Sequence, residues 1–528
     1  MRPRSNLSFA APSFASLLPC LFVFLLLLSG CGHKPPEPGT VVFLIETMPA
    51  NLDPRIGTDA QSERLDSLLF NGLLERDAQM NVRGDLAERW ESPDPLTYIF
   101  HLRRGVRFHN GQPLTANDVK FTFDSILSGA IQTPKRGAFR MVSSVAAPDA
   151  ATVVFHLKEP FASFLWNLVR PSVGIVPAGA GADFAQHPIG TGPFRFVSAQ
   201  QDEEVVLERN PDYFAGVPQI ERARFHIVPD AVVRALELRK GTADLELNSL
   251  APDMVPVLAG QPDLEVTQQP GTIYAYVAFN LDDPVLAHRE VRQALAYATD
   301  RQALVKYLLR GHARIADGLL PPNHWAYEPD VPRYDYHPAR AEQLLDAAGL
   351  PRQAAGPLRG RRVKLALKTS TDELTRLLGA VLQEQWRRVG VELELRPLEF
   401  ATFYADITRG NFQLYAFRWV GGNNDPDIFE YVFHSRKIPP DGANRGHYRN
   451  PRLDALLDRA RVEFDREKRR QLYSEVQRIL AVDLPYLNLW YFDNVCVHRR
   501  RIAHVELTPA GDYDFLTDIV LNPSRKPS

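Results

Sequence analysis

The sequence predicts a mixed α/β chain of two or three lobes, and three observations carry that expectation. The chain has 528 residues, more than one small domain needs at roughly 100–200 residues each. Hydrophobic residues make up 45% and charged residues 23%, a globular balance that can fill a core. Strand-like runs alternate along the chain with stretches of helical period. Pro is frequent, 42 residues, which fits many ordered turns. The formal net charge of −2 provides no basic field for a nucleic acid and argues against that partner.

The elements follow in order. Val41 to Ile45 reads as a short strand, stopped by Pro49 and Pro54. Thr97 to Leu102 is β-rich and aromatic, and Asn110-Gly111 marks a tight turn after it. Thr115-Ala116-Asn117-Asp118 caps a helix whose apolar face carries Val119, Phe123 and Ile126. Residues 153–157 and 205–207 read as further strands. Residues 363–369, a helix with Leu374, Leu378, Val381 and Leu382 on one face, Gly390 at its end, and Val391, Leu393 and Leu395 form a β-α-β unit. Asn450 caps a helix with Pro451 in its first turn and Leu453, Leu456, Leu457 and Ala460 on one side. A last helix carries Leu472, Val476, Ile479 and Leu480. No fixed-period repeat appears.

The first thirty residues read as an export signal. Arg2 and Arg4 precede an apolar run ending at Leu28, too short to span a bilayer comfortably. Leu28-Ser29-Gly30-Cys31 resembles a bacterial lipobox, in which Cys31 is acylated and becomes the first residue after cleavage. Removing residues 1–30 leaves 498 residues with a formal charge of −4. Cys496 then stands without a partner for a disulfide, so stability rests on core burial. Residues 31–39 are Pro-rich and polar, a tether between lipid and fold.

Enzyme signatures are missing from the sequence. There is no Gly-x-Ser-x-Gly elbow, phosphate-loop Lys motif or His-Glu-x-x-His. Gly190-Thr191-Gly192 runs into Pro193 and is no dinucleotide fingerprint. His434 and His447, with Asp441 between them, read either as metal ligands or as ordinary surface and capping residues. Asp425-Pro426-Asp427 reads as paired acids or as a turn leading into a helix cap. No cofactor or resident metal is expected.

Several segments together resemble the bacterial extracellular solute-binding proteins of family five, the oligopeptide, dipeptide and nickel import class. They include Asn51-Leu52-Asp53-Pro54, Asn71-Gly72-Leu73-Leu74-Glu75, Leu86-Ala87-Glu88-Arg89-Trp90 and residues 103–111 (RRGVRFHNG). Leu114-Thr115-Ala116-Asn117-Asp118-Val119, residues 189–194 (IGTGPF), residues 210–214 (NPDYF), Val291-Arg292-Gln293-Ala294-Leu295 and Asp425-Pro426-Asp427 follow in the expected order. The resemblance implies a periplasmic-binding-protein-like fold of type II, cluster C: two hinged lobes plus an extra domain. Lobe I takes 40–66, 189–274 and 491–528, the extra domain 67–188, and lobe II 275–490. The strands expected to cross between the lobes are residues 272–280 and 486–492.

By that resemblance the protein is the solute-binding component of an ABC importer, without enzymatic activity. It captures a peptide or peptide-like solute between its lobes and hands it to permease subunits driven by an ATPase. It is expected to act as a monomer on the extracytoplasmic side of a membrane, held by lipid on Cys31. Carriage of nickel, a chelated metal or haem, and a ligand-sensing role, are the alternatives within the fold. An envelope-acting enzyme is the alternative outside it.

The expected ligand contacts are Arg418, Trp419, Gly421, Gly422, Asn423, Asp425, Tyr274, Tyr276 and Asn280. In peptide-binding relatives a carboxylate three residues after the Trp anchors the peptide amine; here that position is Gly422. Either the ligand lacks a free amine, or another acid such as Asp425 takes the role, or the alignment slips. Arg418 reads either as a clamp for a carboxylate or phosphate or as an outward residue paired with a surface acid. Gly421 and Gly422 read either as a close backbone approach to the ligand or as a flexible loop.

Overall fold

The computed structural model describes residues 38–77, 80–169, 173–420 and 425–522. The export signal, Cys31 and most of the tether lie outside the described residues, as do Gly421, Gly422 and Asn423. A mixed sheet of eleven strands runs through the molecule. Toward one end stands β1 (Thr40–Ile45), parallel to the strand Arg222–Ile227. Its centre is the long strand β2 (Leu264–Phe279). At the other end lie β3 (Val363–Ser370), β4 (Val391–Leu398) and β5 (Leu414–Trp419). The long strand β6 (Tyr486–Arg499) returns to the centre antiparallel to β2.

β2 and β6 serve both ends of the sheet. Leu264 to Pro270 pair with Arg499 to Asp493, whereas Tyr274 to Ala278 pair with Tyr491 to Tyr486. The register breaks between Pro270 and Tyr274, because Pro270 has no amide hydrogen for the ladder. Gly271 sits in the break, and a Cβ there would lie 2.5 Å from the Phe492 carbonyl oxygen. β2 starts well before the expected 272–280 and ends at Phe279, and β6 runs on past the expected 486–492 to Arg499.

Buried apolar residues gather on each side of this break. One group joins β1, the strands Glu204–Arg209 and Arg222–Ile227, and the C-terminal Tyr513 and Phe515. The other lies on both faces of β2 beyond Tyr274, with Trp386, Trp490 and Leu367 on one face and Tyr415 and Tyr473 on the other. A separate core belongs to a four-stranded antiparallel sheet over residues 87–157 and the helix Ala116–Ser128 laid across it. Phe123 meets Phe155 edge to face with centroids 4.9 Å apart, a favoured ring geometry.

The local signals account for the elements that position the site. Asp118 accepts from the Thr115 amide at 2.8 Å, closing the expected capping box. β3 and β4 run parallel in continuous register from Val363↔Val391 to Ser370↔Leu398, joined by α1 (Glu373–Arg388). Gly390 ends that helix region with φ +88°. Leu378, Leu382 and Trp386 are the buried stripe of α1. α2 (Phe400–Thr408) follows β4. Asn450 caps the helix Pro451–Val462 through the amides of Arg452 and Leu453, and Asp465 caps α3 (Arg466–Asp483). Among the described residues no helix is long and apolar enough to cross a membrane.

Candidate functional site

β3, β4 and β5 are mutually parallel, so their carboxyl ends emerge along one edge of the sheet. The N-termini of α1 and α2 open onto that edge, capped by Asp372 and Glu399. Crevices outside the carboxyl ends of parallel strands are the usual ligand sites of open α/β sheets. Here the crevice is a cleft of about 160 Å³, lined by Ser370, Asp372, Phe400 and Arg418, with Trp490 and Phe492 of β6 as its far wall. Arg418 is exposed at the end of β5, and no carboxylate among the described residues pairs with it. Of its two readings, the surface ion pair is therefore not the one observed.

Successive side chains on β5 point to opposite faces. Arg418 lies opposite Ala275, whereas Trp419 lies opposite Tyr274 and Phe417 opposite Tyr276. Arg418 and Trp419, adjacent in sequence, thus serve different sides of the sheet. On the Trp419 side the aromatic rings form a continuous stack. Tyr276 is parallel to Trp419 at 6.4 Å, to Tyr274 at 5.5 Å and to Tyr486 at 4.2 Å. Burial pushes the Tyr274, Tyr276 and Tyr486 phenols well above their usual range. The Tyr274 hydroxyl donates to the Asn488 side-chain oxygen. Among the described residues Trp419 Nε1 has no acceptor, and the Tyr276, Tyr415 and Tyr486 hydroxyls have no partner outside their own group.

Arg445 enters this stack from the loop after Ala443. It is 5% exposed, with its guanidinium carbon 5.3 Å from the Tyr404 ring centre and 5.7 Å from that of Trp419. Nη2 donates to the Tyr404 hydroxyl at 3.2 Å, while Nε and Nη1 donate to nothing among the described residues. Sequence reasoning missed Arg445, Tyr404 and Tyr486 as site residues. Arg445 sits in an irregular loop with no period or motif, so only the fold reveals it.

Asp425 and Asn280 occupy other surroundings. Asp425 is buried and accepts from Arg469 Nη1 at 2.9 Å, Arg469 Nη2 at 2.7 Å and the Ser163 hydroxyl at 2.7 Å. Burial acts to raise its pKa, but the Arg469 charge and hydrogen bonds hold it below the usual carboxylate range. It also accepts from the Asp427 amide at 2.9 Å, the turn expected of this segment. Burial first, then the neighbouring Asp425 and Glu430 charges, push Asp427 up to about 7. The Asn280 side-chain nitrogen donates to the carbonyls of Gly410 and Phe412 at 3.3 and 2.8 Å. His434 and His447 do not meet. His434 faces Asp454 and Asp458, while His447 pairs with Asp282. Among the described residues no cluster fits a metal ion.

The chain is similar along most of its length to known proteins. The model of the bacterial extracellular solute-binding proteins, family 5 Middle, matches residues 81–438. The probable di/tripeptide-binding protein 5 of Pseudomonas aeruginosa is 31% identical over 483 residues, covering 85% of this chain and 89% of that protein. The oligopeptide-binding protein AppA of Bacillus subtilis, solved with a nonapeptide, superposes with a TM-score of 0.78 at 26% identity, covering 93% of this chain and all of that one. NikZ of Campylobacter jejuni, solved with Ni(L-His), superposes with a TM-score of 0.76 at 27% identity over 91% of this chain and 99% of that one.

Proposed function

We infer the protein's cargo from one premise: the chain belongs to family 5 of the bacterial extracellular solute-binding proteins. It is the extracytoplasmic, non-catalytic solute-binding component of an ABC importer and works with a permease and its ATPase. Its fold is the two-lobe periplasmic-binding-protein-like one. The cargo is a peptide or peptide-like solute, seated in the cleft at the carboxyl ends of β3 and β5. Its contacts are Arg418 in that cleft and, past the end of β5, Trp419 with the segment Gly421, Gly422 and Asn423, while Tyr274 and Tyr276 back Trp419 on the other face of the sheet. Asp425 and Asn280 hold the frame rather than the ligand.

The observation that carries this reading is Arg418, which pairs with no carboxylate among the described residues and lines a cleft with Phe400, Phe417 and Phe492. The cargo is not anchored by a free amine. Gly422 stands where peptide-binding relatives carry the anchoring acid, and Asp425 is already paired with Arg469. An ammonium enclosed without a partner loses several kcal/mol. The lobes take residues 40–66, 189–274 and 491–528 on one side and 275–490 on the other, with 67–188 as the extra domain. They hinge at the register break beside Gly271. A ligand closes such a clamp only through contacts that the closed state alone makes. Lipid on Cys31 holds the protein at the membrane. Nickel, a chelated metal or haem, the alternative cargo, would use the same cleft.

Native mass spectrometry of the purified protein tests the cargo directly, with a peptide or peptide-like solute as the expected passenger. Calorimetry with a panel of dipeptides and tripeptides tests the anchor. Submicromolar binding that acetylation of the amine abolishes would defeat the reading. Loss of fatty-acid labelling in Cys31→Ser tests the lipid.

A further inference from the structure

Among the described residues the buried arginines donate to a carboxylate or to backbone carbonyls, with one exception. Arg55 pairs with Asp53 at 2.6 Å, Arg301 faces Asp317 at 3.6 Å and Arg469 pairs with Asp425 at 2.7 Å. Arg362 and Arg499 reach Asp346 and Asp263. Arg234 and Arg292 donate instead to backbone carbonyls, such as Pro229 and Leu286. Arg445 has neither a carboxylate nor a carbonyl. It has one phenol and two aromatic faces, and two of its nitrogens are buried with nothing to donate to.

We propose that Arg445 is the seat for an oxyanion of the captured solute, a carboxylate or a phosphate group. This rests on the reading of the protein as a solute-binding component and adds the charge of the solute to it. A buried charge without a counter-ion is costly, and cation–π contacts offset only part of that cost. The polar atoms around the guanidinium can all supply hydrogen: Arg445 Nε and Nη1, Trp419 Nε1 and the hydroxyls of Tyr276, Tyr415 and Tyr486. An ammonium or a metal cation would meet like charge there. Water would satisfy the hydrogen bonds but leave the charge uncompensated. An oxyanion satisfies both. Tyr404, whose ring faces the guanidinium at 5.3 Å, is 42% exposed.

The test follows thermal unfolding of the full-length protein in detergent, freed of co-purified solute. Acetate, inorganic phosphate and N-acetyl-alanyl-alanine are titrated separately, with the amide of that dipeptide as the uncharged arm. At least one anion is expected to raise the wild-type Tm saturably while the amide does not. Which anion acts separates carboxylate from phosphate. Arg445→Met is expected to unfold at the same temperature as wild type or higher, because an uncompensated charge has gone, and to lose the anion response. Arg445→Lys keeps the response with roughly tenfold weaker half-saturation. Three results would overturn the seat: no anion shifts the wild-type Tm, the amide acts as well as the acid, or Arg445→Met unfolds several degrees lower or fails to fold. Native mass spectra separate this failure from failure of the functional reading. A neutral passenger that Arg445→Met still carries removes the seat alone, whereas a wild-type protein that never carries a solute of any kind removes the reading beneath it.

Discussion

Arg469 and Arg445 are both almost wholly buried on the same side of the sheet, each against a Tyr and a Trp, yet their surroundings are opposites. Arg469 stacks on Tyr473 and Trp325 and is gripped by both oxygens of Asp425 and by Ser163. Ser163 comes from the part of the chain that carries the four-stranded sheet, so the cluster ties that part to α3. Arg445 stacks on Tyr404 and Trp419 and is gripped by nothing charged among the described residues. A complete ion cluster holds a frame still. An incomplete one leaves an interaction for a guest to complete. The difference explains why Asp425, an acid that looks like a ligand anchor in the sequence, is a poor candidate for one in the fold.

The strongest way to break the contrast is to turn the first cluster into the second. Asp425→Asn leaves Arg469 buried without its counter-charge, and breaking a buried pair costs about 3–5 kcal/mol. Urea unfolding should show that loss, and an unchanged midpoint would mean the cluster holds nothing.

Next is the acid beside the cluster. Asp427 titrates near 7 in the fold against about 3.9 unfolded. A raised carboxyl pKa means that the unfolded state releases its proton first as pH rises. Stability should therefore fall between about pH 4 and pH 7, by about 2–4 kcal/mol through this group, and level off above. Asp427→Asn should flatten that slope while leaving stability at pH 4 unchanged, as read from midpoints across the range.

A third change probes the break between the two ends of the sheet. In Gly271→Ala the added methyl meets the Phe492 carbonyl at 2.5 Å, and strain of about 1–3 kcal/mol is expected. X-ray scattering with and without solute should show impaired closure if the break is the hinge.

The smallest effect sharpens the second cluster. Tyr404→Glu places a carboxylate beside Arg445 and should stabilise the protein by about 1 kcal/mol, as a partly exposed pair does. The built-in acid should also displace the oxyanion response, so the two midpoints with and without anion should converge.

Much of the fold was legible in the residues because local chemistry encodes it. The Thr115–Asp118 box, the Asn450 cap and the β-α-β unit over 363–398 depend on neighbours in sequence, and each occurs where the pattern points. The short strands Phe194–Gln200 and Arg222–Ile227 carried no such signal; they are set by pairing with Glu204–Arg209 between them. At the site, Trp419 and Tyr276 share a face as their strand pattern allows. The role of Asp425 was not readable, because its partners Ser163 and Arg469 lie 262 and 44 residues away.

By itself the sequence determined the family, the alternation of strand and helix, and the absence of an acid at position 422, since each is a matter of residue type and order along the chain. Only the tertiary structure decided which charges are satisfied. Whether Arg418 faces a cleft, whether Asp425 is free, and whether Arg445 has a partner depend on residues brought together across tens to hundreds of positions. Electrostatic energy falls with distance through space, and distance along the chain does not enter it.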